Sequence, residues 1–432
     1  MPSRLDGWLA RIEALHPRGS AGIELGLDRV ATVRERLGQR EQCPVILVGG
    51  TNGKGSTCAM LERILLAAGY RVGLYTSPHL LHYNERVRID GLAASDASLC
   101  EAFEKVESAR GEVALTYFEF GTLAAWEAFA EADVDAVVLE VGLGGRLDAV
   151  NAYEPDVAIV TGIALDHMDW LGPTREHIGR EKAGIYRPGK PALCADAAPP
   201  QSLVDHAGAI GADLRLIGRD FGYERLPEDR AQWRFFARRQ GGETVRRMLA
   251  YPGLRGEVQL ANAAAAVAAL ELLRDRLPAS MQAIREGLLA TSLPGRFQTL
   301  PGRPAVVLDV AHNPQACAVL ASNLGDMGFH DRTYGIVGML ADKDIDGSLR
   351  AIASRIDHWL TIPLPSPRSE SAARLADIVR AVAPGAVVEA CSDAGDACRR
   401  VAGRVTEADR IAAFGSFLTV AEVHPHLHLF RR

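Results

Sequence analysis

The sequence is short of several things, and each shortage narrows what it can be. It holds seven cysteines in 432 residues, an odd number scattered at 43, 58, 100, 194, 317, 391 and 398, with no Cys-x-x-Cys pair. That disfavours a disulfide framework or a cysteine zinc site, and a reducing, cytoplasmic setting is expected. Long apolar runs are missing. The stretch 263–273, interrupted by Glu271, is among the longest, well below the ~20 residues a membrane helix needs, so no membrane partner is expected. Arg4, Asp6, Arg11 and Glu13 interrupt the first residues, and a secretory signal is not expected either. Basic charge is not in excess: the formal net charge is -6. A nucleic-acid surface calls for a basic domain or stripe, so nucleic acid is not an expected partner. Internal repeats, low-complexity tracts and an NKxD-type guanine motif are also absent.

What is present is an ordinary core-forming composition, 48% hydrophobic and 24% charged, long enough for two or three domains. Strand-like apolar runs at 44–50, 71–77, 135–141 and 157–163 alternate with helical patterns, such as the one that starts at Lys54 and stops at Gly69. A second series of runs follows at 305–310, 333–337, 359–362, 386–390 and 410–414. Alternation of this kind predicts an α/β chain with parallel sheets covered on both faces. The expected fold is an N-terminal domain over 1–294, containing a phosphate loop and a mostly parallel sheet, and a smaller Rossmann-like C-terminal domain over 295–432. Pro294 and Gly295 break the periodicity between them. The polar stretch 218–253 reads as a β-rich excursion at the rim of the first domain.

Residues 50–57 read GTNGKGST and fall between a predicted strand and a predicted helix. Glycines let backbone N–H groups turn toward an anion, and the helix N-terminus adds its positive dipole end. Lys54 supplies a point charge for β- and γ-phosphates, and Ser56 or Thr57 a hydroxyl. The general P-loop pattern would have glycine where Val48 stands and Ser or Thr where Gly55 stands, so magnesium ligands must be sought elsewhere. The plain alternative is a glycine-rich turn; its context and the lysine argue against that.

Open α/β sheets bind ligands beyond the carboxyl ends of their strands. Glu140 ends one apolar strand, where a carboxylate can hold Mg²⁺. Asp166 and His167 follow the next strand. A lone histidine is usually structural, but beside Glu140 it becomes a candidate second-metal ligand, although oxygen donors suit Mg²⁺ better. Ser77 is a third strand-end residue. Arg86 and Arg88 offer partners for a substrate carboxylate, or else face solvent on a surface strand. In the second series Asp309 and His312 flank a strand-to-helix turn, and Asn313 is a natural helix cap. The loops 338–344 and 415–420 follow strands in the same way.

Taken in order, GTNGKGST, SPHL, TYFEFGT, EVGLGGRLDA, LDHMDWLG, REKAGI, GRFQ, DVAHNP and GMLADKD resemble the dihydrofolate synthase/folylpolyglutamate synthase branch of the Mur ligase superfamily, over nearly the whole chain. The resemblance implies roles by motif position. Thr51, Asn52, Gly53, Lys54, Gly55 and Ser56 would hold ATP phosphates, and Asn262, Arg296 and Asp309 would contact ATP across a domain cleft. Ser77 and Glu140 would bind one Mg²⁺ and His167 a second. Lys182 matches a carbamylated lysine. Leu15, His16, Pro17, Thr116, Tyr117, Phe118, Glu119, Leu147, Asp148 and Ala149 would shape a pterin pocket, and His312 would serve ligation.

The implied reaction is ATP-dependent ligation of L-glutamate to dihydropteroate, and to reduced folates, through an acyl-phosphate. A monomer acting on small molecules is expected. Rival readings are a folylpolyglutamate synthase without the first activity, another Mur-type amide ligase, and a non-enzymatic nucleotide switch.

Overall fold

A computed structural model describes residues 3–15, 24–226, 231–239 and 241–430. By contacts the chain divides into two units, Met1–Gly253 with Gln259–Thr291, and Leu254–Val258 with Ser292–Arg432.

In the first unit the strands are β1 (Val45–Gly49), β2 (Val72–Tyr75), β3 (Val87–Ile89), β4 (Leu92–Ala93), β5 (Ala136–Glu140), β6 (Val157–Val160), β7 (Pro191–Cys194) and β8 (Asp213–Leu216). They form one sheet in the order β4-β3-β2-β5-β1-β6-β7-β8. Only the β2–β3 and β3–β4 pairings are antiparallel. β1 is central, with Val48 opposite Glu140 of β5 and Gly49 opposite Val160 of β6. Its five residues are all buried, which is why the sequence shows a continuous apolar run there and not an alternation. The chain leaves β1 toward β2 on one side and reaches β6 on the other, so a topological switch point lies beside the carboxyl end of β1.

Helix Lys54–Ala67 is buried from Gly55 to Leu65 almost without a break, so it is covered on more than the sheet side. Helix Met281–Ala290 lies against it. A Cβ on Gly287 would come 2.4 Å from Ile64 Cα, so the two backbones touch. The alanine-rich helix Val258–Leu272 is similarly buried from Asn262 to Leu270, its small side chains permitting close approach.

The polar stretch after Gly218 forms a three-stranded antiparallel sheet of β9 (Phe221–Arg225), β10 (Gln232–Arg238) and β11 (Thr244–Ala250). Its hydrophobic signal has the two-residue strand period: Trp233, Phe235 and Ala237 are buried while their neighbours are not. Arg239 and Arg247 both pair with Glu271 on helix Val258–Leu272 and fasten this sheet to its own unit.

The second unit has β12 (Gln298–Leu300), β13 (Ala305–Leu308), β14 (Thr333–Val337), β15 (His358–Thr361), β16 (Val387–Ala390) and β17 (Arg410–Phe414), in the order β12-β13-β17-β14-β15-β16. Only β12 runs antiparallel to its neighbour. Its core gathers Val307, Leu324, Val337, Leu349, Trp359 and Phe414. Among the described residues no helix is long and apolar enough to cross a membrane.

Backbone cannot rotate out of the way as a side chain can. Gly287→Ala is therefore expected to cost about 1–3 kcal/mol, read as a clear fall in Tm; an unchanged Tm would mean that the two helices do not touch.

Candidate active site

The segment from Gly50 to Gly53 joins β1 to helix Lys54–Ala67 by a turn that only glycine fits at its ends. Gly50 has φ 141° and Gly53 φ 97°. A Cβ on the first would meet Thr161 Oγ1 at 1.9 Å, and on the second Asn262 Oδ1 at 2.5 Å. The turn is tied to the strand beside it. Thr161 Oγ1 donates within reach of both Gly49 O (3.1 Å) and Asn52 O (2.8 Å), and the N–H groups of Thr51 and Asn52 donate to Gly162 O at 2.8 and 3.3 Å. Two of the expected phosphate-loop N–H groups are therefore committed to the β6 loop. The first helical turn carries no side-chain cap at Gly53, so the N–H groups of Lys54, Gly55 and Ser56 have no intrahelical acceptor and suit an anion. Lys54 Nζ donates to Thr51 O at 3.2 Å. Thr57 turns its hydroxyl back to Gly53 O at 3.0 Å; of the two hydroxyls considered, Ser56 is the one not bonded to the loop.

Ser77, Glu140 and His167 follow or end β2, β5 and β6, the strands around β1. Ser77 N–H donates to Glu140 Oε2 at 3.1 Å, so these two are adjacent, and Glu140 is only 4% exposed. His167 lies in the loop beyond β6, a strand two spacings, about 10 Å, from β5. It adopts φ 52°, ψ 38°, a left-handed conformation uncommon outside glycine and concentrated at functional sites. The loop is held there by Asp196, which accepts from Ile163 N–H at 2.7 Å, and by Arg175, which donates to Ile163 O at 3.0 Å and pairs with Asp196 at 3.0 Å. Among the described residues no three His, Cys, Asp or Glu side chains converge as a ready-made metal cage. Mg²⁺ uses one or two carboxylates and completes its shell with phosphates and water. Glu140 and the Ser77 hydroxyl offer the oxygen donors it prefers.

Lys182 lies on helix Arg175–Ala183 and points inward. It is 3% exposed and donates to Gly50 O at 2.9 Å. Burial, reinforced by the positive charge of Lys54, brings its amine down from 10.5 to about 7. Asp148, also 3% exposed, shows the opposite effect. Burial lifts its carboxyl to about 7, although it accepts N–H bonds from Leu143 (2.8 Å) and Val150 (3.1 Å) that favour the charged form.

Thr116 and Glu119 form a reciprocal capping box at the start of helix Tyr117–Glu131, and Glu119 pairs with Arg29 at 2.9 Å. Both therefore have structural partners. Tyr117 and Phe118 offer rings, against Tyr83 (5.9 Å between centroids) and Tyr75 (5.7 Å). Leu147 O accepts from Gly26 N–H at 3.3 Å, and Ala149 is buried. Leu15 closes helix Arg4–Leu15; His16 and Pro17 lie outside the described residues. Arg88 is paired with the buried Glu62 at 2.9 Å, so it is structural and not a ligand for substrate.

Asn262 is buried beside Gly53 and donates to Gln259 Oε1 at 2.9 Å. In the second unit Asp309 follows β13 and accepts from Phe297 N–H and Ala311 N–H, both at 2.8 Å. Burial raises its carboxyl above the ordinary range while Arg296 and His312 oppose the rise. Arg296 lies over the Phe417 ring at 5.1 Å, and His312 Nδ1 is 2.9 Å from Val310 O. Asn313 caps helix Pro314–Asp326 as expected. Thr419 Oγ1 donates to Gly338 O at 2.6 Å and ties two strand-end loops together. Sequence reasoning missed Thr161, Arg175, Asp196, Arg29 and Thr419. Thr161 lies inside the apolar run 157–163 and Thr419 inside the strand-end loop 415–420, but nothing along the chain marks either side chain; Arg29, Arg175 and Asp196 have no such signal.

The Mur ligase middle domain matches residues 48–270, and the Mur ligase glutamate ligase domain residues 295–417. A dihydrofolate synthase/folylpolyglutamate synthase of Escherichia coli (strain K12) is 44% identical over 422 residues, 98% of this chain and 95% of that protein. A structure of E. coli FolC in complex with DHPP and ADP matches with a TM-score of 0.90 at 42% identity, covering 99% of both chains. A bifunctional folylpolyglutamate synthase/dihydrofolate synthase from Yersinia pestis, complexed with AMPPNP and Mn ion, gives 0.88 at 45% identity over 99% of this chain and 100% of the other.

Thr161→Val keeps the shape of the side chain and removes the hydroxyl that pins the turn. It is expected to cost about 1–3 kcal/mol and to speed hydrogen exchange at the amides of Thr51 and Asn52 without changing exchange in β10. Unaltered exchange at those two amides would show that the turn holds itself.

Proposed function

The chain belongs to the Mur ligase family, in its dihydrofolate synthase/folylpolyglutamate synthase branch, and we propose that it joins L-glutamate to dihydropteroate, forming dihydrofolate, and to reduced folates, extending their glutamate chain. It is an ATP-dependent ligase. The observation that carries the ATP-dependent part of this reading is the uncapped helix start behind Gly53, with Lys54, and the Ser77–Glu140 pair at adjoining strand ends; the folate substrates are proposed from the likeness to dihydrofolate synthase/folylpolyglutamate synthases. In this reading residues 1–294 hold ATP and the pterin, and residues 295–432 serve the incoming glutamate. The chain acts as a cytoplasmic monomer on small molecules.

A carboxylate is a poor acyl donor because its oxygen is a bad leaving group. An oxygen of the substrate carboxylate attacks the γ-phosphorus of ATP, ADP departs, and a mixed anhydride forms. The glutamate amine then adds to the acyl carbon, loses its proton, and phosphate leaves with the former acyl oxygen. Lys54 and the N–H groups of Lys54, Gly55 and Ser56 meet the charge on the transferring phosphoryl. Glu140 and Ser77 would hold one Mg²⁺ and His167 a second, and the metal would supply further charge neutralisation. Thr51 and Asn52 keep the turn in register, and Asn262 contacts the nucleotide. Leu15, His16, Pro17, Tyr117, Phe118, Leu147, Asp148 and Ala149, with Thr116 and Glu119 behind them, shape the pterin pocket. His312 assists ligation.

Lys182 carries a carbamate in this reading. A lysine must lose its proton before it can attack CO₂. With its amine at about 7, roughly half would be neutral at pH 7, against on the order of one in three thousand at the ordinary lysine value. The N–C bond to CO₂ forms as the proton leaves, giving an anionic oxygen ligand of the kind Mg²⁺ favours.

The test is ADP formation with dihydropteroate and with tetrahydrofolate, each with and without glutamate. Glutamate-dependent release with both substrates is expected; release with tetrahydrofolate alone would reduce the assignment to folylpolyglutamate synthase. Lys54→Ala should lower turnover by about a hundredfold or more, and near-normal turnover would remove the loop from the mechanism. Lys182→Ala should lose activity and regain part of it with short carboxylic acids. Full activity without them would exclude the carbamate.

A further inference from the structure

Two arginines in the strand-end segment after β2 were candidates for a substrate carboxylate, and the structure separates them. Arg88 is consumed: it pairs with Glu62 at 2.9 Å and donates to Gly91 O at 2.8 Å. Arg86 is placed differently. Its carbonyl accepts from Thr76 N–H at 2.9 Å, so it lies across from the residue next to Ser77. Its Nε donates to His79 Nδ1 at 2.8 Å. Its guanidinium carbon lies 5.5 Å from the ring centroids of both Tyr83 and Tyr117, two rings that stand at 86° to each other. The cation thus sits in a corner with aromatic walls.

The neighbouring acid does not neutralise it. Both oxygens of Glu85 are taken up by the N–H groups of Leu80, Leu81 and His82 at 2.7, 2.8 and 2.7 Å. Among the described residues Arg86 has no carboxylate partner in an ion pair. One histidine nitrogen and two ring faces fix the guanidinium's position while meeting only its Nε donor. The terminal N–H fork is the part that matches a carboxylate in a bidentate pair, and aromatic walls favour an acid whose carboxyl is borne on a ring.

We propose that Arg86 is a specificity-determining residue that binds the aryl carboxylate of the pteroate substrate, with His79 as the residue that positions it. This rests on the dihydropteroate reading above. Arg86 selects the first acceptor; a carboxylate on a tetrahedral glutamate carbon is not what this aromatic corner favours.

The experiment compares the parent chain with Arg86→Gln and Arg86→Lys, measuring KM for dihydropteroate, tetrahydrofolate and ATP, equilibrium binding of dihydropteroate, and Tm. In both variants the KM and Kd for dihydropteroate should rise about tenfold or more, because lysine keeps the charge but not the fork. KM for ATP and for tetrahydrofolate should stay within about twofold, a split that a merely structural role would not produce. Dihydropteroate binding within about twofold of the parent, whatever happens to Tm, overturns the proposal, as does an equal rise in the KM for ATP or an effect confined to tetrahydrofolate. The lysine variant retains a cation beside the rings if the glutamine variant fails to fold. A parent chain that binds dihydropteroate without ligating it overturns the proposed reaction and leaves the Arg86 contact to be judged by binding.

Discussion

Everything at the carboxyl edge of the first sheet depends on one turn being held off the end of β1. Thr161 supplies a single hydroxyl within reach of Gly49 O and Asn52 O, while Gly162 O takes the N–H groups of Thr51 and Asn52. Residues just beyond β6 therefore fix the turn after β1. This is a constraint of register as much as of bonding: Gly49 lies opposite Val160, so the next residues of the two strands meet as they leave the sheet. With the turn fixed, helix Lys54–Ala67 presents an uncapped N-terminus at the switch point, and the Ser77–Glu140 pair lies within the same row of strand ends.

The site also concentrates buried charge, and burial acts in opposite directions on its two signs. Lys182 is brought down and Asp148 up, both to about 7. Two groups that would ordinarily be fully charged at neutral pH are thereby placed where their protonation responds to the neighbourhood. Lys54 bears on both, lowering the Lys182 amine and restraining the rise of Asp148. A change at Lys54 is consequently a change in the electrostatics of the whole pocket and not only in one phosphate contact. The second unit repeats the device with less charge: Asp309 is lifted by burial and restrained by Arg296 and His312.

Arg86 and Arg88 show how little spacing says about the use of a side chain. They are two residues apart, of one type, on one short segment. Arg88 meets Glu62 from helix Lys54–Ala67, and Arg86 meets His79 and two tyrosines. Glu119 is a similar case. Its place in the TYFE segment marks it for the substrate pocket by resemblance, whereas its oxygens serve the helix cap at Thr116 and the pair with Arg29.

The sequence alone determined the central strands of both sheets and their order along the chain, though not β3, β4, β7, β8 or β12. β14 and β17 fall where their apolar runs predict, and β1, β5 and β6 lie within theirs, because a strand buried on both faces must be apolar throughout. The phosphate turn was legible for a local reason: backbone at φ 141° and 97° next to a helix start requires glycine. Tertiary structure alone decided which side chains stand behind that turn. Thr161 is 112 residues from Gly49 and Lys182 is 132 from Gly50, and no period or motif links such pairs. It also decided that Lys182 points inward, since a helix begins at Arg175 in either case and only the sheet packed against it determines which face is buried. Charge state followed from that burial, because the cost of holding a charge away from water depends on what surrounds it in space and not on its neighbours along the chain.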